Sequence, residues 1–194
     1  MIKRELYTNR IRPFIGGELI KVMTGIRRSG KSVMVELIKE ELAEDGLAPS
    51  QMISINFEDM RYSHLQTATA LHDEIIKRAE GIEGKAYLFF DEIQEVEGWE
   101  KCVNSLRVAL DCDIYITGSN AKLLSGELAT YIGGRYVEFV IYPFSFAEFL
   151  ELYHTIAPSD SIQQCFQKYL LAGGMPYLAN LRYEEEPSRQ YLTD

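Results

Sequence analysis

Residues 25–32 read "GIRRSGKS", and the reading of the whole chain turns on them. Gly25, Gly30, Lys31 and Ser32 fit the Gly-x4-Gly-Lys-[Ser/Thr] spacing of a phosphate-binding loop. Glycines let successive backbone N–H groups converge on an anion, and the helix that follows adds the positive end of its dipole. The flanks supply that context. "ELIKVMTG" (18–25) has strand character and runs into the loop. "KSVMVELIKEELAEDG" (31–46) spaces Val35, Leu37, Ile38 and Leu42 along one helical face, with Gly46 to stop it. Strand, glycine loop and helix in this order predict a nucleotide site. Lys31 is expected to reach the β- and γ-phosphates and Ser32 to ligate Mg²⁺, with Gly25, Arg28, Ser29, Gly30 and Val33 completing the contacts.

Outward from the loop, short apolar strands alternate with amphipathic helices, the pattern of an α/β fold with a mostly parallel sheet. "MISINF" (52–57) is the second strand, and "TATALHDEIIKRAE" (67–80) the second helix. "AYLFFDE" (86–92) is apolar on both faces, which predicts a central strand. "GWEKCVNSLRVAL" (98–110) is a third helix, with Trp99 in the core, and "CDIYITGSN" (112–120) a fourth strand. A short helix near 120–128, a strand over 133–142 ended by Pro143, and a helix over 145–154 capped by Ser145 follow. "TIAPSD" (155–160) reads as a linker, which divides the chain into an ATPase-type unit at 1–155 and a segment at 156–194. In that segment a helix is broken at Gly173 and Gly174, and the polar end "EEEPSRQYLTD" offers no core of its own. Residues 156–194 are expected to begin a helical lid or C-terminal region of a longer protein.

Asp91 and Glu92 stand at the carboxyl end of the third strand, where open α/β sheets bind ligands. Asp91 suits the Mg²⁺ shell through water, and Glu92 suits a general base for the water that attacks the γ-phosphate. Ser119 and Asn120, just past the fourth strand, are candidates to sense that phosphate; Asn120 equally suits a helix cap. Arg135 is a candidate arginine for a nucleotide site, its own or a neighbouring copy's, against the alternative of a surface salt bridge. Homo-oligomerisation is therefore among the expectations. Arg27 and Arg28 are read chiefly as braces that pair with Glu58 or Asp59 and hold the loop against its own charge.

The chain has 194 residues, 46% of them hydrophobic and 25% charged, enough for one substantial core. Its net charge of −9 argues against sequence-independent binding to nucleic-acid backbones. No apolar run is long enough to cross a membrane, and "MIKRELYTNR" lacks the apolar stretch of a signal peptide. Cys102, Cys112 and Cys165 form no C-x-x-C pair and read as buried thiols in a reducing cytoplasm. His64, His72 and His154 show no metal-ligand spacing.

In order along the chain, "GIRRSGKS", "INFEDMR", "FFDEIQ…W", "ITGSN…LLSGELAT" and "GGRYVEFVIYPFSFAEF" resemble prokaryotic AAA-superfamily ATPases that carry a separate C-terminal domain. The resemblance covers roughly residues 1–180. It implies a P-loop ATPase of the additional-strand type, in which Lys31, Ser32, Asp91 and Glu92 match the Walker residues. It also implies that target recognition resides in a C-terminal part beyond this segment. The expected activity is Mg²⁺-dependent ATP hydrolysis that drives a conformational step on a macromolecular target. ATP is preferred to GTP because no N-K-x-D guanine-reading sequence is present. A nucleotide-dependent switch with little turnover and a small-molecule kinase are the competing readings.

Overall fold

A computed structural model describes residues 2–118 and 132–193. Strand β1 (Ile20–Thr24) leads into the glycine loop and helix α2 (Lys31–Glu44), after a short N-terminal helix α1 (Glu5–Ile11). Strand β2 (Met52–Asn56), helix α3 (Ala68–Ala79), strand β3 (Ala86–Asp91), helix α4 (Trp99–Ala109) and strand β4 (Cys112–Thr117) follow in strict alternation. Strand β5 (Tyr136–Val140) completes a five-stranded sheet of order β2-β3-β4-β1-β5 with every pairing parallel. Strand β4 thus lies between the loop-bearing β1 and the acidic β3. This is the additional-strand arrangement.

Parallel strands need crossovers, and those from β1 to β2, β2 to β3 and β3 to β4 each carry a helix, α2, α3 and α4. The two faces part by the two-residue period of a strand. Val22, Leu88, Phe90, Ile114 and Ile116 pack with Leu71, Ile75, Val103 and Leu106 of α3 and α4. Met23, Phe89, Tyr115 and Phe139 pack with Met34, Val35 and Ile38 of α2 and with Tyr7 and Ile11 of α1. Phe89 and Tyr115 stack at 4.8 Å between centroids on that second face. The apolar run of β3 before Asp91 follows from being covered on both sides. Helix α1, which the sequence reading did not include, forms because Tyr7 and Ile11, one turn apart, bury together against α2.

Beyond β5 lie helices α5 (Phe146–Ile156), α6 (Ile162–Ala172) and α7 (Glu185–Thr193). Ser145 caps α5 and Ser161 caps α6, each in a reciprocal box with a residue three positions on, Glu148 and Gln164. Gly173, at φ 72°, ends α6 as the sequence predicts. The segment after β5 packs on one core that α5, α6 and residues 178–183 build together, and of the polar end Tyr191 packs against it. Phe149 and Tyr153 of α5 pack with Cys165, Leu178 and Tyr183, and Phe149 lies 5.0 Å from the Tyr183 ring. The polar stretch 185–193 is helical, with Ser188 turned inward. The short helix expected near 120–128 lies outside the described residues.

Candidate functional site

The loop is built by backbone that side chains would obstruct. Gly25 has φ 147°, and a Cβ there would stand 2.2 Å from the Ile141 carbonyl oxygen on β5's exit. Gly30, at φ 99°, precedes the first turn of α2, which has no side-chain cap. The first-turn N–H groups of that fourteen-residue helix are therefore left to a ligand or solvent. Lys31 is buried and crosses back under the loop, its Nζ donating to the carbonyls of Gly25 at 3.4 Å and Ile26 at 3.3 Å. These long bonds hold the ammonium where an anion on the loop would meet it. Ser32 and Val33 are exposed on the first turn of α2, whereas the Ser29 side chain is buried beneath the loop.

The acidic strand end comes to the same place. Asp91, the last residue of β3, accepts from Asn56 Nδ2 at 3.1 Å and from the Thr117 hydroxyl. Thr117 in turn accepts from the Glu92 N–H at 3.0 Å. Asn56 and Thr117 are the last residues of the strands flanking β3, so sheet order alone brings them to Asp91. Sequence reasoning missed both; the available signal was a polar residue at the carboxyl end of each strand. Glu92 has φ 55°, and this left-handed turn aims its carboxylate across β4 towards the loop. Its Oε1 lies 3.7 Å from Lys31 Nζ, and its Oε2 accepts from Gln94 Nε2 at 2.5 Å.

Lys31 and Glu92 border a cavity of about 790 Å³, lined on the α/β side by Arg27, Arg28, Gly30, Ser32, Val33 and Glu58 as well; Asp91, Asn56 and Thr117 do not line it. Pro176, Tyr177, Asn180 and Tyr191 of the C-terminal segment close its other wall. The volume and the basic floor suit a triphosphate-bearing ligand.

The arginines divide their roles. Arg27 Nη2 lies 3.4 Å from Glu58 Oε1, but the two side chains are 84% and 57% exposed, so this brace is weak. Asp59 is taken by Arg61 and is no partner for the loop. Arg28, at φ 66°, places its guanidinium 5.1 Å over the Tyr191 ring instead of against an acid. Arg135 stands apart from these two. It precedes β5, whose first residue Tyr136 pairs with Ile20 at the start of β1, so it stands at the sheet end remote from the loop. There it is exposed and donates to Asn104 Oδ1 at 3.0 Å, and it does not join this chain's own cavity. Ser119 and Asn120 lie outside the described residues.

Elsewhere Trp99 and the three cysteines are buried, and burial pushes the Cys102 thiol up to about 12. His72 is shared with Ser105, and His154 lies beside Cys165. Among the described residues no cluster of three His, Cys, Asp or Glu side chains could hold a metal. No helix among them is long and apolar enough to cross a membrane.

Comparison with known proteins places these features in a family. The model of a family described as an AAA domain matches residues 18–150. An uncharacterized protein of Haemophilus influenzae is 43% identical over 176 residues, 91% of this chain and 44% of its own. An uncharacterized protein of Methanocaldococcus jannaschii is 35% identical over 185 residues, 89% of this chain and 40% of its own. The chain therefore spans less than half the length of these relatives. Among solved structures, the Orc1 protein of Aeropyrum pernix in complex with DNA aligns with TM-score 0.54 and 15% identity, over 99% of this chain and 66% of that one. A RuvB mutant of Thermotoga maritima aligns with TM-score 0.56 and 15% identity, over 98% and 62%. At such identities these structures attest the fold alone.

Proposed function

The chain belongs to the AAA-domain family, and we propose that it binds ATP with Mg²⁺ over residues 25–32 and hydrolyses it. The observation that carries this reading is the meeting of Lys31 and Glu92, 3.7 Å apart, on the border of the loop's cavity. A buried lysine on loop carbonyls and a carboxylate aimed at it from the next-but-one strand are the parts that phosphoryl transfer to water requires.

The residues present fit a magnesium ion. The Ser32 hydroxyl is exposed on the first turn of α2. Both Asp91 oxygens are held by donors, yet each keeps a lone pair to accept from a water. Mg²⁺, when bound, would neutralise phosphate charge and orient the β- and γ-oxygens. Lys31 exchanges its weak carbonyl bonds for the phosphates, which frees Glu92 from the ammonium. Glu92 then takes a proton from water as that oxygen bonds the γ-phosphorus; the bond to the bridging oxygen breaks, and ADP leaves with the electron pair. Asn56 and Thr117 keep Asp91 and the Glu92 backbone in register through this step. Arg135 would serve only the site of a neighbouring copy. A cytoplasmic location, and a macromolecular target engaged outside this segment whose state follows nucleotide turnover, complete the proposal.

Calorimetry and phosphate release test it. Lys31→Ala should weaken ATP binding, and equal affinity in the two proteins would sink the assignment. Glu92→Gln should retain nucleotide and lose turnover by about 10²–10⁴, the usual weight of a general base. A mutant that releases phosphate at the wild-type rate would move the base elsewhere.

A further inference from the structure

Arg4 lies far from the loop in sequence and directly beneath it in space. It is buried and sits at φ 42°, a left-handed conformation that a side chain other than glycine rarely adopts. Such backbone persists only where its surroundings over-determine it, and here they do. Arg4 Nε donates to Glu148 Oε1 at 2.8 Å, and Nη2 to the Tyr142 carbonyl at 2.8 Å. Nη1 donates to the Ser29 carbonyl at 3.0 Å. The guanidinium also lies 4.6 Å from the centre of the Tyr7 ring and 5.2 Å from that of Phe144. A Cβ on Gly30 would come within 3.3 Å of Nη1, so the guanidinium packs against the Ser29–Gly30 peptide itself.

That contact has a consequence for anion binding. The chain has no cis peptide bonds among the described residues, and across a trans peptide the carbonyl and the next N–H point in opposite directions. Drawing the Ser29 carbonyl down to Arg4 therefore turns the Gly30 N–H up, away from the guanidinium. Gly30 borders the cavity, whereas Ser29 is buried and does not. A flip of this one peptide would replace a donor facing the ligand with a carbonyl oxygen that repels it. Glycine at position 30 leaves the flip sterically open, so something outside the loop must prevent it.

We infer that Arg4 is a positioning residue for the phosphate loop, fixing the Ser29–Gly30 peptide so that the Gly30 N–H faces the anion. Glu148 and the Tyr142 carbonyl fix the guanidinium in turn. The inference rests on the reading of the cavity as a phosphate site.

The test combines two readouts on Arg4→Ala and Arg4→Lys. By calorimetry with Mg²⁺, Arg4→Ala should weaken inorganic triphosphate and ATP by the same factor, roughly 10- to 100-fold, the worth of a hydrogen bond to a charged group. Arg4→Lys, which keeps the charge and can reach one carbonyl, should lose less. In the nucleotide-free protein, amide exchange over residues 26–31 should quicken in Arg4→Ala while β3 and α4 keep wild-type protection. Unchanged affinity and unchanged loop exchange would overturn the inference. So would exchange that quickens equally in β3, since Arg4 would then serve general stability. Should Arg4→Ala fail to fold, Arg4→Lys decides by the same two measurements. If the wild-type chain binds neither triphosphate nor ATP, the proposed function fails, and the exchange comparison still decides whether Arg4 holds the loop.

Discussion

Asp113→Ala should cost this protein about 3–5 kcal/mol, because it strands a charge at the end of the sheet away from the cavity. Lys21 on β1 and Asp113 on β4 form an ion pair in which neither side chain is exposed. Asp113 also accepts from the Gly16 N–H at 2.7 Å and the Tyr115 hydroxyl at 2.9 Å. Burial holds the Lys21 ammonium below its ordinary pKa even with Asp113 beside it, so desolvation is already the larger influence there. Removing the acid leaves a hydroxyl and a backbone N–H without their acceptor and the ammonium with only the Gly17 carbonyl, at 3.4 Å, the situation that costs about 3–5 kcal/mol for a broken buried pair. For a chain of this size each kcal/mol lowers Tm by about 2–4 °C, so a fall of roughly 6–20 °C is expected. Urea titration with an unchanged slope would assign the loss to the native state. The double variant Lys21→Met/Asp113→Leu should recover the share due to the stranded ammonium but not all of the loss, since the Gly16 N–H and the Tyr115 hydroxyl still lack their acceptor. Nucleotide affinity should hardly move, because the pair lies at the far end of β1 and β4. A loss below about 1 kcal/mol for Asp113→Ala would refute the reasoning, for that is the value of a solvated pair.

Two further outcomes follow from the contacts of Glu148 and Arg27. Burial alone would raise the Glu148 pKa, but the hydrogen bonds from Arg4 and Ser145 outweigh it and hold the carboxyl below its usual value. A carboxylate so depressed stabilises the fold above its unfolded pKa of about 4.3, and that stability drains away as pH falls through the folded value. Glu148→Gln should therefore lower stability near neutrality and flatten its decline on the acid side, as read from urea midpoints against pH; parallel curves for the two proteins would contradict this. For the loop brace, a double-mutant cycle on Arg27 and Glu58 should give a coupling under about 1 kcal/mol, because both groups are largely exposed. A coupling well above that would mean the pair is shielded in solution.

What this sequence determined by itself was local. The loop was legible because its geometry needs glycine at set positions beside a lysine and a hydroxyl, a requirement carried within eight residues. The interior place of β3 was legible because its residues before Asp91 are apolar on both faces, as a strand covered on both sides favours. Helix caps at Ser145 and Ser161 are likewise set by their nearest neighbours. Only the tertiary structure decided which strand ends share a site. The order β2-β3-β4-β1-β5 brings Asn56 and Thr117 to Asp91 and carries Arg135 to the opposite end of the sheet, and sheet order is written in no single segment. The C-terminal residues found their core only through α5, since an aromatic side chain reveals nothing in sequence about which rings it will meet. Arg4 is the furthest case. Its partner Glu148 lies 144 positions away, and a lone arginine before a short helix bears no mark of the buried carboxylate and carbonyls that will surround it. Short-range rules govern backbone conformation, whereas long-range proximity is set by burial of apolar faces, and polar residues are carried to their partners by that packing.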